Sequence, residues 1–275
     1  MSSDPRCCLF AWSVEMQRPW CLVLLLVSSH GEQSRTCESA LMMRYNRTLN
    51  CAQHRDMCKH TPVLRRLASH GSSIVEMGVR GVVSSWSLML GLYESGAAPL
   101  HEKWMLSVDL APIDFRQAVH VGKLCGLNVR FLQHNSATVE LPPVIDLLLI
   151  DTMHALGHVR RELAMHANRT RRYIVLHDTE IDGVRSDVLR LSGEQAVQDR
   201  AKLMGYSEAD VRGGLQPGID DFLVAHPEWT LLEHYSNYPG LTVLVRHESI
   251  RPGGLPFFSR PPSSLSSRLL RWLGR

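Results

Sequence analysis

Between about residue 60 and residue 246 the chain alternates short apolar runs with helix-length amphipathic stretches. That alternation predicts an α/β domain: a mainly parallel sheet with helices on both faces. The first run is Ser73-Ile74-Val75-Glu76-Met77, the second spans Trp104 to Asp109, and the third spans Val129 to Leu132. Val144 to Asp151 (VIDLLLID) and Tyr173 to Asp178 (YIVLHD) are nearly continuous in apolar content, as a strand buried on both faces requires. Helical spacing puts Val63, Leu64, Leu67 and Ala68 on one face, with Pro62 suited to a first turn. A later helix is predicted between Ala155 and Ala167, with Leu156, Val159, Leu163 and His166 facing the sheet and Arg160, Arg161 and Glu162 mostly outside. Trp229 to Tyr235 and Leu241 to Val245, joined through Asn237-Tyr238-Pro239-Gly240, predict an antiparallel hairpin at the end. No internal repeat and no second folded domain are visible.

The two ends differ from this core, which divides the chain into residues 1–36, a domain over 37–250 with a helical lead-in, and a tail over 251–275. Trp20 to Val27 read WCLVLLLV, the length of a secretory-signal core, and Ser28 and Ser29 follow where cleavage would fall. The charges before it cancel, Arg6 and Arg18 against Asp4 and Glu15, which argues against a signal. The cytoplasm is therefore the expected compartment, with the secretory pathway as the alternative if residues 19–29 are a signal. No apolar run approaches the roughly 20 residues that cross a bilayer as a helix. From Arg251 onward the chain is rich in Pro, Gly and Ser, with five arginines and no acid. Such a composition builds little core. Its Leu269, Leu270, Trp272 and Leu273, with Arg268, Arg271 and Arg275, could form a basic amphipathic turn against a membrane surface or a partner, although a solvated tail is the plainer reading.

Charge and composition narrow the function classes. The chain has 275 residues, 44% apolar and 21% charged, which excludes a disordered or fibrous protein. Thirty Lys and Arg against 27 Asp and Glu leave a net charge of only +3, so no nucleic-acid partner is expected. Seven cysteines without a CxxC pair make neither a zinc framework nor a disulfide scaffold. Free thiols are expected; cleavage of the leader would leave Cys37, Cys51, Cys58 and Cys125, and bridges among the first three would then become available. Two glycosylation tripeptides, Asn46-Arg47-Thr48 and Asn168-Arg169-Thr170, are short enough to arise by chance.

Ligands of an open parallel sheet gather beyond the carboxyl ends of its strands. Here those ends present Glu76 and Gly78, then Asp109, then Asn135 and Ser136, then Asp151 and His154, and finally His177 and Asp178. Several unpaired carboxylates along one edge cost stability unless ligands or a metal satisfy them. The segment from Glu76 to Trp86 reads as strand, glycine turn and helix, where glycine lets a cofactor approach the backbone, but it is not the GxGxxG dinucleotide fingerprint. Asp109 is placed to accept hydrogen bonds from both hydroxyls of a ribose, or else to cap the next helix. Asp151 and Asp178 close adjacent strands and can share Mg2+ through oxygen ligands. His177 beside them admits Mn2+ as a third ligand, or simply hydrogen-bonds and leaves the site free of metal. His154, three residues after Asp151, is the candidate general base.

In this order, VEMGVRGVVSSW, SVDL, LLLIDTMHALGHVRRELAMHA, YIVLHDTEIDG and WTLLEHYSNYPGLTVLVR resemble the class I S-adenosylmethionine-dependent methyltransferases. The likeness is greatest to the sugar and small-molecule O-methyltransferases grouped with the macrocin and cephalosporin-hydroxylase-like enzymes, and it covers roughly residues 60 to 246. It implies a Rossmann-like sheet and S-adenosylmethionine as cofactor. It implies further that Glu76, Gly78 and Ser84 surround the methionine part, that Asp109 holds the ribose, and that Asn135 and Ser136 lie near the adenine. Asn135 stands where the family commonly has an acid, and the interval from Gly78 to Asp109 is longer than usual.

The activity so implied is O-methylation of a hydroxyl on a sugar, glycan or small molecule, with assistance from a divalent metal. A nicotinamide-dependent dehydrogenase and a non-catalytic methyltransferase-like binding protein are the competing readings. Acceptor recognition is expected from Cys37 to Thr61, where His54, Arg55, Asp56 and His60 offer polar groups, although a solvated helix face explains them as simply. The expected partners are the small-molecule or glycan acceptor and a second copy of the chain.

Overall fold

The seven predicted runs become seven strands in the computed structural model, which describes residues 35–53 and 56–247. The apolar leader, the basic tail, His54 and Arg55 lie outside the described residues. In chain order the strands are β1 (Ser73–Met77), β2 (Trp104–Asp109), β3 (Asn128–Gln133), β4 (Ile145–Ile150), β5 (Thr170–His177), β6 (Trp229–Tyr235) and β7 (Leu241–Arg246). They form one sheet in the order β3-β2-β1-β4-β5-β7-β6. Every pairing from β3 across to β5 is parallel, and β7 runs antiparallel between β5 and β6. The sheet is Rossmann-like, with one antiparallel strand, β7, inserted beside β5.

Side chains divide between the two faces with period two, as pleating demands. Ile74, Met105, Leu147, Leu149, Tyr173 and Val175 face one core, and Val75, Met77, Leu106, Val108, Leu148 and Ile174 face the other. Helices α2 (Thr61–Ala68), α3 (Val83–Glu94) and α4 (Arg116–Leu124) cover the first core, and α5 (Leu156–His166) with α8 (Leu215–Ala225) covers the second. Between them in sequence, α6 (Asp187–Met204) and α7 (Glu208–Arg212) make a smaller cluster around Val188, Val197 and Val211. None of the helices among the described residues is long and apolar enough to cross a membrane.

The helical lead-in takes a definite form, and two other features depart from the sequence reading. Another helix, α1 (residues 35–48), precedes α2 and buries Cys37, Leu41, Tyr45 and Thr48, which share one face at helical spacing. Glu162, expected on the outside of α5, is fully buried, where its carboxylate accepts a hydrogen bond from Thr152 Oγ1 at 2.8 Å and lies 3.3 Å from His158 Nε2. The cysteines among the described residues are not free: Cys37 bridges to Cys125 and Cys51 to Cys58. The bridges persist best in an oxidising compartment, against the expected cytoplasmic setting.

Candidate active site and metal centre

Where the paired strands β1 and β4 end, their backbones stay close. Asp151 N–H donates to the Met77 carbonyl at 2.8 Å, and Gly78 follows with φ +87°. A Cβ at Gly78 would sit 1.7 Å from the Asp151 carbonyl oxygen, so only glycine fits. The loop beyond it continues with Arg80 and Val82 also at positive φ, 40° and 59°, before α3 begins.

Two carboxylates hold this loop. Glu76 is fully buried and accepts hydrogen bonds from Ser84 Oγ at 2.5 Å, Ser107 Oγ at 2.6 Å and Ser85 Oγ at 2.7 Å. Burial raises its pKa to about 7, against the pull of the three hydroxyls. Asp109 Oδ2 accepts from the backbone N–H of Val79 at 2.8 Å and of Arg80 at 3.0 Å, while Oδ1 accepts from Ala111 N–H at 2.8 Å. Glu76 and Ser84 thus bind each other beneath the loop. Of about four lone-pair sites on the Asp109 carboxylate, three are used, which leaves capacity for a further donor.

Beyond the loop lies a cavity of about 310 Å³, lined by Val79, Arg80, Gly81, Ser84 and Asp151 on one side and by Gln53, Asp56 and Met57 on the other. That volume is at the lower end of small-molecule sites. The Arg80 guanidinium pairs with the Asp56 carboxylate, joining the two walls. Asp56 therefore belongs to a pocket rather than to a solvated helix face. His60 is buried, and burial with the neighbouring His177 pushes its pKa down to about 4, so it is neutral.

Asn135 and Ser136 follow β3. Asn135 Oδ1 accepts from Ala137 N–H at 2.9 Å, as in an Asx turn. Ser136 is buried against α5, its Oγ 3.2 Å from His158 Nε2 and its carbonyl accepting from His166 Nε2 at 2.8 Å. Neither lines the cavity.

At the ends of β4 and β5 the acids and histidines converge as expected. His177 is buried, and its Nε2 hydrogen-bonds the Asp56 carbonyl at 3.0 Å. A carbonyl only accepts, so the proton is on Nε2. Nδ1 then faces Asp178 Oδ1 at 3.3 Å and Asp151 Oδ1 at 3.4 Å, yet makes no aligned hydrogen bond. The donor set of one imidazole and two carboxylates, with ligand atoms within 4.8 Å of one another, would fit a divalent cation.

His154 occupies the other side of the same acids. Its Nε2 is 3.3 Å from Asp151 Oδ1, and its Nδ1 lies 3.2 Å from Asp178 Oδ2 and 3.3 Å from Asp182 Oδ2. Burial opposes its charged form, but the hydrogen bonds with Asp151 and Asp182 and the charges of Asp151 and Asp178 outweigh burial and hold its pKa well above the usual value. With both nitrogens facing carboxylates, His154 keeps its proton and has no lone pair to offer as a general base. Burial would raise the Asp151 carboxyl, but His177 and His154 pull it well below the usual range.

Sequence reading missed Asp182. Asp178 adopts the left-handed conformation, φ 59°, and Asp182 N–H returns to its carbonyl at 2.9 Å, which folds the fourth residue onward back to the site. Arg190 then grips both Asp182 oxygens at 2.7 and 2.8 Å. The turn between β6 and β7 fixes this segment, because the Pro239 carbonyl accepts from Glu180 N–H at 3.1 Å and Ile181 N–H at 3.0 Å.

No family model and no curated protein matches the sequence. Among solved structures, a methyltransferase from Podospora anserina bound to S-adenosylhomocysteine is similar at 14% identity over 80% of this chain and 95% of its own, with a TM-score of 0.42. The N-methyltransferase NodS of Bradyrhizobium japonicum is similar at 11% identity over 68% and 93%, with a TM-score of 0.44. Such distant likenesses add nothing to what the strand order and register establish.

Proposed function

We propose that this chain is an S-adenosylmethionine-dependent O-methyltransferase acting on a hydroxyl of a sugar, glycan or small molecule, with a divalent cation at Asp151, His177 and Asp178. One observation carries the reading: a methyltransferase strand order places the cavity beside the glycine turn and the metal-ligand cluster at the same sheet edge. The antiparallel β7 and the absence of GxGxxG favour it over a dehydrogenase.

The cofactor would lie against Val79 to Ser84, with Asp109 contributing its remaining lone pair to a ribose hydroxyl. Bound S-adenosylmethionine supplies an electrophilic methyl group. A divalent cation supplies Lewis acidity that makes an acceptor hydroxyl easier to deprotonate. In the chain itself, the cluster decides where the proton goes. Asp151, Asp178 and Asp182 hold His154 protonated; a cation on Asp151 and Asp178 would weaken that hold, so that a His154 ring nitrogen could accept the hydroxyl proton. Arg190 keeps Asp182 oriented behind it.

Calorimetry with S-adenosylmethionine and S-adenosylhomocysteine tests this reading directly. Binding is expected to the wild-type protein and to weaken about tenfold or more in Asp109→Ala. Folded protein that binds neither ligand would reject a methyltransferase. Turnover on glycans and small hydroxyl compounds, unchanged after exhaustive chelation, would reject the cation.

A further inference from the structure

The tripeptides Asn46-Arg47-Thr48 and Asn168-Arg169-Thr170 take no part in the candidate site, and the fold treats their asparagines alike. Other asparagines put the side chain to use. Oδ1 of Asn50 accepts from Ala52 N–H at 3.1 Å, Oδ1 of Asn135 from Ala137 N–H at 2.9 Å, and Oδ1 of Asn128 from Arg130 Nε at 3.2 Å. Asn46 and Asn168 are exposed, and neither side chain makes a hydrogen bond among the described residues. The threonines of the same tripeptides turn inward. Thr48 is buried and its hydroxyl donates to the Tyr45 carbonyl at 2.7 Å. Around Asn168, in the turn between α5 and β5, His166, Ala167 and Thr170 are all buried. There the Thr170 hydroxyl donates to the His166 carbonyl at 3.1 Å, and the Arg169 guanidinium donates to the Leu141 carbonyl.

The cysteines supply a second, independent observation. Cys7, Cys8 and Cys21 precede Ser28 and Ser29, whereas Cys37, Cys51, Cys58 and Cys125 follow them. Those that follow pair completely with one another. Cleavage after the WCLVLLLV run therefore leaves a chain with no odd thiol, the state suited to an oxidising compartment.

We propose that the chain enters the secretory pathway and carries N-linked sugar at Asn46 and Asn168. In the transfer, the asparagine side-chain nitrogen bonds to the anomeric carbon of a lipid-pyrophosphate-linked oligosaccharide. The bond from that carbon to the pyrophosphate oxygen breaks, the lipid pyrophosphate leaves with the electron pair, and the amide nitrogen loses one proton. The tripeptide is read with its threonine, which both folded sites bury, so transfer precedes folding. Exposure of the asparagines then lets the finished fold carry a bulky, solvated group. At Asn168 that group stands clear of the acid cluster, because β5 runs from Thr170 to His177, roughly 23 Å of extended chain. The inference is independent of the methyltransferase reading.

The test expresses the full chain with its own leader in a eukaryotic secretory host, as wild type, Asn46→Gln, Asn168→Gln and the double variant. Electrophoretic mobility is read before and after an endoglycosidase that removes N-linked sugar. Treatment is expected to remove both increments of mass from the wild type, the remaining increment from each single variant, and nothing from the double variant. Mass spectrometry of the treated wild type should find positions 46 and 168 deamidated to aspartate, and an N-terminus that begins after Ser28 or Ser29. This second measurement needs no substitution, so a variant that folds poorly does not blur the result. A wild type without sugar, or a shift that survives unchanged in the double variant, would overturn the sites. A chain that keeps residues 1–27, with free thiols at Cys7, Cys8 and Cys21, would overturn the secretory route.

Discussion

The carboxyl ends of β1 and β2 carry two acids, and those of β4 and β5 carry three with Asp182, but the two edges solve opposite problems. Glu76 accepts from three serine hydroxyls of α3 and β2, and Asp109 from three backbone donors, with capacity left for one more. Asp151 and Asp178 meet only imidazoles, and one of those imidazoles has an unaligned nitrogen. The first edge is finished as folded and shapes a pocket. The second is finished only when positive charge is added, which is how a structural use of buried acid differs from a chemical one.

Removing the acid from the finished edge should cost most. Glu76→Ala leaves three buried hydroxyl donors without their acceptor, a loss on the order of 3–5 kcal/mol in denaturant unfolding; a change below about 1 kcal/mol would show that the serines find other partners. The same carboxyl should impose a pH slope. Its native value of about 7 lies above the ordinary 4.5, so the folded state binds the proton more tightly. The stabilisation is complete below about pH 4.5 and is lost as pH rises through about 7, an effect on the order of 3 kcal/mol. Glu76→Gln should flatten that slope relative to wild type in unfolding curves collected across this range, and an unchanged slope would assign it to other groups.

The unfinished edge should respond to ions instead. Mn2+ at roughly a hundredfold its dissociation constant should stabilise the wild type by about 2.7 kcal/mol, seen as a rise in melting temperature, and should leave Asp178→Asn unmoved. Stabilisation of both to the same degree would place the ion elsewhere. The smallest effect belongs to Arg190→Ala. Asp182 would lose a two-pronged partner that is partly solvated, costing about 1 kcal/mol in thermal or chemical unfolding. A loss several times larger would make Arg190 central to the cluster rather than peripheral.

The sheet was legible because burial on both faces writes itself as near-continuous apolar runs, and β1, β2 and β6 match their predicted bounds. Asp151, His177 and Asp178 were legible for a related reason: they terminate such runs. What escaped depends on turns and on distant packing. Asp182 comes back only through the left-handed Asp178, and nothing in the local pattern announces that conformation. Asp56 reaches His177 with its backbone, which has no residue code. Glu162 sits at a position that the charge pattern of α5 assigns to solvent, and only its contact with Thr152 and His158 makes burial tolerable. Asp109 and Ser136 were read by their place at strand ends, whereas their partners are supplied by neighbouring loops and by α5.

The Cys37–Cys125 bridge spans 88 positions and encloses α2, β1, α3, β2 and α4. Tying so long a loop removes on the order of 4–5 kcal/mol of freedom from the unfolded chain in the entropic account. It also changes what a protease can accomplish. A single cut anywhere inside that span leaves both fragments covalently attached, so a nicked molecule would migrate as one piece until it is reduced and could keep its inner strands in place. For this half of the sheet, peptide-bond continuity and molecular integrity are separate properties.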